Sequence, residues 1–338
     1  MASLFDMKNA LSITLIIILL GDNYLIGQQL STLNSQLSTQ KTYFQQEVHY
    51  SINVNLDDVK HELNGMESLD YTNNSSDALS IIYIHLWANG YKDHSTALCK
   101  QMVENGNTSL YFAKDEDKGF IDQLDFKVNS QSVKLEYDSL YIDIAKIILN
   151  KPLKHGETIN ITTPFHVKIP LGKFSRMGHI DQSYQITQWY PKPAVYDRNG
   201  WNPIPYLDQG EFYSEFGSYD VNITLPKNYV VGATGDLVNG EHEIQWMTNI
   251  ADSTKKITEF GREKVISSDK ETKTLHYHQE KVHDFAWFAD KRFNILKGEV
   301  TLPHSQNKVT TWVLFTNHSS GLWRKANPYI DSAIYYYS

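Results

Sequence analysis

Short segments in which apolar and polar residues alternate recur along the chain from about residue 45. Alternation with a period of two is typical of strands that bury one face. Two such segments, Leu124–Val128 and Val133–Tyr137, flank Asn129-Ser130, which predicts a hairpin. The other clear examples predict strands through Tyr50–Leu56, Ile159–Val167, Tyr219–Leu225 and Val309–Phe315.

The segment Leu79–Trp87 is apolar on both faces, which predicts a central strand that is covered on both sides. Many short strands separated by turn residues are typical of antiparallel sandwiches. The predicted fold class is therefore mostly β, with a saddle-like antiparallel sandwich.

The last twenty residues change to a helical period. Ile330, Ala333, Ile334 and Tyr337 share one helical face, and Pro328 is tolerated in the first turn. Asn327 is the candidate cap of this helix. The sequence stops soon after this apolar face begins, so we expect more protein to follow in the natural product.

The amino-terminal residues have the pattern of a secretory signal peptide. Lys8 precedes an apolar run from Leu11 to Leu20, which is shorter than the roughly 20 residues that a membrane-spanning helix needs. We expect residues 1–27 to be removed after Gly27 and residues 28–43 to form a polar leader. The protein would then be exported to the periplasm or outside the cell, with no stable membrane anchor after cleavage.

The charge and the cysteine content argue against one class of partner and against disulfide bonds. The net charge is −8, and Lys and Arg are scattered, which argues against nucleic acid as a partner. Cys99 is the only cysteine, so no intrachain disulfide can form. An exported protein without disulfides depends on its core for stability, which suits a large bacterial periplasmic protein.

The chain lacks the sequence patterns of the common catalytic centres. A helical zinc peptidase needs two histidines four residues apart, but the residues four beyond His61 and His242 are Gly65 and Trp246. His276 and His278 share a strand face that we expect to point to solvent, so a metal site there is disfavoured. A nucleophile elbow and a phosphate-binding loop are also missing from the sequence.

The segment from Tyr184 to Gly217 is the most unusual part of the sequence. It contains Trp189, Trp201, several tyrosines and four prolines between residues 191 and 205, a composition that excludes a regular strand or helix. A rigid aromatic loop of this kind can line a binding cleft. It can equally pack as a plug against one end of a sheet, and both interpretations stay open.

Several ordered motifs resemble the N-terminal domain of gluzincin aminopeptidases. This is peptidase family M-one, the alanyl aminopeptidase and leukotriene hydrolase group, in its Bacteroidetes-like branch. The likeness covers roughly residues 44–338. The motifs that carry it are Thr187–Pro193, Tyr206–Ser214, Tyr219–Gly235, Tyr83–Tyr91 and Val282–Asp290.

The resemblance implies a β domain over residues 44–317 and, from residue 318 to 338, the first helix of a thermolysin-like catalytic domain. The zinc ligands of that family belong to the catalytic domain, which would be missing here. The resemblance thus implies no cofactor in this chain, zinc in the missing domain, and a peptide substrate bound through that domain.

The resemblance also implies two substrate-binding residues. A T-Q-x-[EQ] motif in the family places a glutamine near the first substrate side chain and a second polar residue near the free amine. Gln188 matches the glutamine, and Tyr190 stands at the second position. A phenol carries no charge and is a weaker partner for an ammonium than a carboxylate.

The leading functional prediction is a non-catalytic part of an exported zinc metallopeptidase that lines the substrate cleft and is inactive alone. The alternative is a stand-alone exported β-sandwich binding module. That module would use the aromatic residues between Trp189 and Tyr206 as a platform, because aromatic loops also recognise sugars and peptides without catalysis.

Overall fold

The computed structural model describes residues 43–210 and 212–338. The predicted signal peptide (1–27) and the predicted leader up to residue 42 lie outside the described residues. Residues Gln45–Ser338 form one compact unit. Within the part of the chain that is described, no helix is long and apolar enough to cross a membrane.

The described residues are mostly β, as predicted. The strands are β1 (Glu47–Asp57), β2 (Glu62–Thr72), β3 (Leu79–His85), β4 (Phe120–Asp122), β5 (Lys127–Val128), β6 (Gln131–Ser132), β7 (Lys134–Tyr137), β8 (Ile144–Leu153), β9 (Thr158–Lys168), β10 (Gly178–Ile180), β11 (Ser183–Ile186), β12 (Lys192–Pro193), β13 (Val195–Asp197), β14 (Gly200–Asn202), β15 (Gly217–Pro226), β16 (Val230–Ala233), β17 (Asp236–Leu237), β18 (Thr272–Val282), β19 (Trp287–Asp290), β20 (Asn294–Thr301) and β21 (Lys308–Phe315).

Four α-helices accompany these strands in the described ranges: α1 (Ala97–Glu104), α2 (Glu241–Thr254), α3 (Ser320–Trp323) and α4 (Asn327–Tyr337). Two 3₁₀ turns span Trp87–Tyr91 and Asn317–Ser319. Sequence patterns did not predict α1 or α2. The Thr96 side chain caps α1 by accepting a hydrogen bond from the Cys99 backbone N–H, at 3.3 Å.

The largest sheet has nine strands in the order β17-β18-β15-β1-β2-β9-β5-β6, with β4 paired to β9. Every second residue of β1 is buried, which confirms the predicted alternation. The predicted strands at β9, β15 and β21 are also confirmed. One pair differs from the antiparallel prediction, because β1 and β15 run parallel. A long crossover separates these two strands in the chain, so no hairpin dictates their direction.

Two four-stranded sheets and two two-stranded sheets complete the fold of the described residues. Their strand orders are β10-β11-β19-β16, β12-β3-β8-β7, β13-β14 and β20-β21.

The strand predicted over Leu79–Trp87 is an inner strand of its sheet, but it ends at His85. Ile82 and Ile84 on one face are buried, but Ile81 and Tyr83 on the other are only half-buried and Ser80 is exposed, so the prediction of two covered faces is wrong.

The hairpin predicted around Asn129-Ser130 is correct only at its tip. Asn129 and Ser130 both have positive φ values, 48° and 66°, as a two-residue type I′ turn requires. This turn joins β5 to β6. The strand β7, expected to continue the hairpin, pairs instead with β8 in another sheet. Strand pairing between distant segments has therefore overridden the local pattern.

The predicted C-terminal helix is confirmed as α4, but the predicted cap is wrong. The Asn327 side chain is turned toward β21, where its amide donates to Thr311 Oγ1 at 3.2 Å. Thr311 in turn donates to Asp331 Oδ1 at 2.7 Å. These bonds tie α4 to the β20-β21 hairpin.

Candidate functional site

The loop Thr187–Pro193 follows β11 and ends with the short strand β12, which pairs with β3. Trp189 in this loop is fully buried, and its Nε1–H donates to the Phe285 carbonyl at 3.0 Å. A buried indole needs such a partner, since its N–H would otherwise be unsatisfied. The loop is therefore anchored in the core, as the plug interpretation expects.

Tyr190 is also part of the core, at 3% exposure. Its hydroxyl donates to Asp284 Oδ1 at 2.8 Å and lies 3.0 Å from the Tyr219 hydroxyl. Burial and the nearby Asp284 carboxylate raise the pKa of Tyr190 well above its usual value. Tyr190 is therefore a neutral donor that holds Asp284, and its predicted contact with substrate stays a prediction.

Gln188 lies next to these anchors but has a left-handed backbone, with a φ of 50°. Non-glycine residues seldom adopt this conformation, and they keep it only where the surroundings enforce it. The side chain is half-buried, and its Nε2 donates to Asp284 Oδ2 at 3.3 Å. Its Oε1 has no hydrogen-bond partner among the described residues.

Lys192 supplies the positive charge of this cluster and is 2% exposed. Its ammonium lies 3.3 Å from Asp284 Oδ1 and also donates to the His283 carbonyl. Burial lowers the pKa of Lys192, and Asp284 acts in the opposite direction. We call Gln188, Tyr190, Lys192 and Asp284 the Asp284 cluster.

Glu67 is a second buried acid near Lys192. It occupies a core-facing position of β2 at 1% exposure, and neither carboxyl oxygen has a hydrogen-bond partner in the described ranges. Burial raises its pKa well above the usual value, and the Lys192 charge only partly opposes this. The buried Glu67 therefore holds its proton more tightly than an exposed glutamic acid does.

Hydrogen bonds hold the later part of the aromatic segment, Ile204 and Tyr206, against β3 and the loop before β8. The Ile204 backbone N–H donates to His85 Nε2 at 3.1 Å, and burial together with Lys192 lowers the pKa of His85 to about 3. The Tyr206 backbone N–H donates to Asp143 Oδ2 at 2.6 Å. Burial raises the pKa of Asp143 to about 6. Tyr206 itself is buried at 1% exposure.

The partly exposed strand-face position predicted for His276 and His278 is confirmed. His276 and His278 are partly exposed and both approach Asp220 Oδ1, at 2.9 and 3.1 Å. In the described ranges, no group of three or more His, Cys, Asp or Glu residues could hold a metal ion. This part of the chain therefore offers no ligand set that fits zinc, and we derive no chemical step through zinc.

Sequence reasoning did not identify the roles of Asp284 and Glu67. Asp284 is separated from Gln188 by 96 residues and gains its role only through contact. The sequence does contain one indication that Glu67 is buried. Glu67 lies on the same face of β2 as the buried Leu63, Leu69 and Tyr71. A carboxylate at a core-facing strand position can be noticed from the sequence alone.

No family model matches the chain, and no curated protein matches it. The fold resembles solved M1 zinc metallopeptidases at low similarity. A mutant from Deinococcus radiodurans bound to a Tyr-Ser-Ala substrate has a TM-score of 0.43 and 13% identity, over 80% of this chain and 48% of that chain.

Another structure of an M1 zinc metallopeptidase from D. radiodurans has a TM-score of 0.42 and 13% identity, over 82% of this chain and 48% of that chain. A two-domain M1 metallopeptidase mutant bound to L-tryptophan has a TM-score of 0.43 and 12% identity, over 80% and 48% of the two chains. The present chain thus spans about half the length of the solved structures that it resembles.

Proposed function

We propose that this chain is the N-terminal, non-catalytic β part of an exported zinc metallopeptidase of the aminopeptidase type. In this proposal the loop Thr187–Pro193 lines the substrate cleft, and zinc and peptide hydrolysis belong to polypeptide outside these 338 residues. The motifs of residues 187–193 and 206–214 support it by resemblance. The observation that carries it is the left-handed backbone of Gln188 between buried anchors.

The anchors give Gln188 a fixed position at low entropic cost. Trp189, Tyr190 and Lys192 are all buried, so the loop backbone is held before any ligand arrives. The Gln188 Nε2 carries a second N–H, which is a donor for a peptide carbonyl, whereas its Oε1 is buried. The hydrogen bond from Gln188 to Asp284, at 3.3 Å, is longer than the usual 2.9–3.0 Å, so a peptide can compete for the amide.

The Asp284 cluster also bears on selectivity for a free amino end. Tyr190 brings no charge, and the nearest carboxylate, Asp284, is paired with the Lys192 ammonium at 3.3 Å. An incoming ammonium would meet a charge-balanced cluster, which attracts it less than an unpaired carboxylate would. We therefore propose weak discrimination between free and blocked amino ends at this loop.

The stand-alone binding module has less support. Trp189 and Tyr206 mark the two ends of the expected aromatic platform. Their side chains are buried, at 0% and 1% exposure. Rings packed in the core have no free face for a ligand. No specific observation favours this alternative.

Photo-crosslinking of the purified chain tests the proposed cleft wall. The probe is a short synthetic peptide with a benzophenone side chain at its first position, and the cross-linked residues are identified by mass spectrometry. We expect cross-links at residues 187–193 and a several-fold loss of yield in Gln188→Ala. The matched control is Gln185→Ala, in the preceding strand β11. Cross-links elsewhere, or equal yields in both variants, would contradict the proposal.

Export is a separate part of the proposal. Amino-terminal sequencing of the mature protein from its natural host is expected to begin after Gly27. A mature protein that still contains Lys8 would contradict signal-peptide cleavage.

A further inference from the structure

Two histidine rings are stacked where the turn before β2 meets the hairpin of β10 and β11. The ring centroids of His61 and His179 are 3.7 Å apart, and the ring planes differ by 12°. His61 ends the turn that leads into β2 of the nine-stranded sheet, whereas His179 belongs to β10 in the sheet β10-β11-β19-β16. The His61–His179 stack therefore joins two sheets, at a place separate from the Asp284 cluster.

Hydrogen bonds and the backbone hold both rings in position. His61 Nδ1 lies 2.8 Å from the Tyr184 hydroxyl of β11. His179 Nδ1 lies 3.0 Å from the Asp181 carbonyl, so this nitrogen donates and carries the proton. His61 also has a left-handed backbone, with a φ of 58°, which a non-glycine residue keeps only where its surroundings enforce it. The two ring faces are thus kept against each other.

The stack favours uncharged rings. His179 is 9% exposed and His61 is half-buried, and burial disfavours the charged form of a histidine. If both rings were protonated, two like charges would face each other across 3.7 Å. Burial lowers the pKa of His61 and the pKa of His179 below 6.5, and the neighbouring His61 lowers that of His179 further.

Nearby carboxylates act in the opposite direction but do not prevail. They are Asp57 and Asp58 in the turn before β2, Asp181 between β10 and β11, and Asp117 in the loop before β4. Asp57 lies 3.6 Å from the Lys60 ammonium, and Asp58 lies 3.7 Å from the buried Lys291 ammonium. Asp58 also accepts a hydrogen bond from the Tyr229 hydroxyl at 2.7 Å. These partners already balance much of the negative charge that an imidazolium would meet.

We propose that the His61–His179 stack is a proton-sensitive contact, which releases the β10-β11 hairpin from the turn before β2 when the solution becomes acidic. Once released, each ring reaches water and binds a proton with its ordinary pKa of 6.5. Because the stacked rings bind protons more weakly, the contact is complete above pH 6.5 and weakens as the pH falls toward the lowered pKa values. The proposal is independent of the metallopeptidase assignment.

Hydrogen–deuterium exchange of the purified chain tests the proposal. Mass spectrometry measures opening of residues 178–186 at pH 8 and pH 5, after correction for the intrinsic exchange rates. We expect opening to increase several-fold at pH 5. His179→Phe keeps a ring in the stack that cannot be charged and can face a protonated His61, so the increase should be lost. The matched control is His242→Phe, on the exposed side of α2, which should respond as the natural chain does.

Opening that does not depend on pH in the natural chain, or an equal increase in His179→Phe, would overturn the proposal. If His179→Phe does not fold, His61→Asn is the second variant, because asparagine tolerates a left-handed backbone. Nuclear magnetic resonance then follows the titration of the His179 ring. We expect its pKa to lie below 6.5 in the natural chain and to rise in His61→Asn. An unchanged pKa of His179 would equally overturn the proposal.

Discussion

The Asp284 cluster differs in burial from the groove between β16, α2 and β21, which we call the β16 groove. In the cluster, Lys192 is 2% exposed and Asp284 accepts hydrogen bonds from the Tyr190 hydroxyl and the Phe285 N–H, both at 2.8 Å. In the groove, which has a volume of about 810 Å³, the ring of Phe288 is 44% exposed.

This difference in burial distinguishes residues that stabilise the fold from residues that are available for ligand binding. Buried charges are costly when one partner is removed, so the cluster should contribute strongly to folding. Half-exposed apolar side chains contribute little to folding, because water already reaches them. Gln188 combines buried neighbours with a loosely held polar group, and we expect its substitution to affect ligand binding.

Lys192→Met is expected to have the largest effect on stability. It leaves the Asp284 carboxylate without its positive partner, which costs about 3–5 kcal/mol in comparable buried pairs. The free energy of unfolding from urea titration measures the loss. The matched control is Lys308→Met, because Lys308 lies 2.7 Å from Glu299 but is exposed, and we expect a change within experimental error. Equal effects of the two substitutions would remove the distinction between the regions.

Tyr190→Phe should have an intermediate effect. It removes one donor to Asp284 and the neighbour of the Tyr219 hydroxyl, and such losses cost about 1–2 kcal/mol. Tyr336→Phe is the control, because Tyr336 is 81% exposed. Thermal unfolding of both variants provides the comparison. An unchanged melting temperature for Tyr190→Phe would show that its hydroxyl is not important in the cluster.

Glu67 should make stability fall as pH rises. Burial raises its folded pKa above the ordinary value of 4.5, so the folded state holds the proton more tightly than the unfolded chain. The stabilising effect is complete below pH 4.5 and is lost as pH rises toward the folded pKa, at no more than about 1.4 kcal/mol per pH unit.

Glu67→Gln keeps the shape of the neutral acid and removes its titration. We expect urea titrations between pH 5 and 8 to give a flatter pH dependence for Glu67→Gln than for the natural protein. Parallel profiles would show that Glu67 is ionised in the folded state.

Phe288→Ser should have the smallest effect on folding, about 0.5 kcal/mol or less, because the ring is already 44% exposed. Urea titration measures it, and Phe285→Ser is the buried control at 0% exposure. A loss in Phe288→Ser as large as in Phe285→Ser would mean that the groove wall belongs to the folding core.

Local sequence patterns predicted the strands that bury one face by themselves, such as β1 and β9, because alternation depends on nearby residues only. They did not predict the parallel pairing of β1 with β15, which joins distant segments. The same distinction between local patterns and contacts of distant segments applies to the candidate site. Gln188 was identified by motif resemblance, whereas Asp284 has a role only because the fold brings it to the loop.

Hydrolysis of aminoacyl-anilides by the purified 338-residue chain, with and without added zinc, tests the central claim most directly. If the chain forms a cleft wall and the chemistry belongs to other polypeptide, turnover will equal the buffer blank in both conditions. Zinc-dependent turnover that survives repurification would contradict the account, because it would place a working metal centre within these residues.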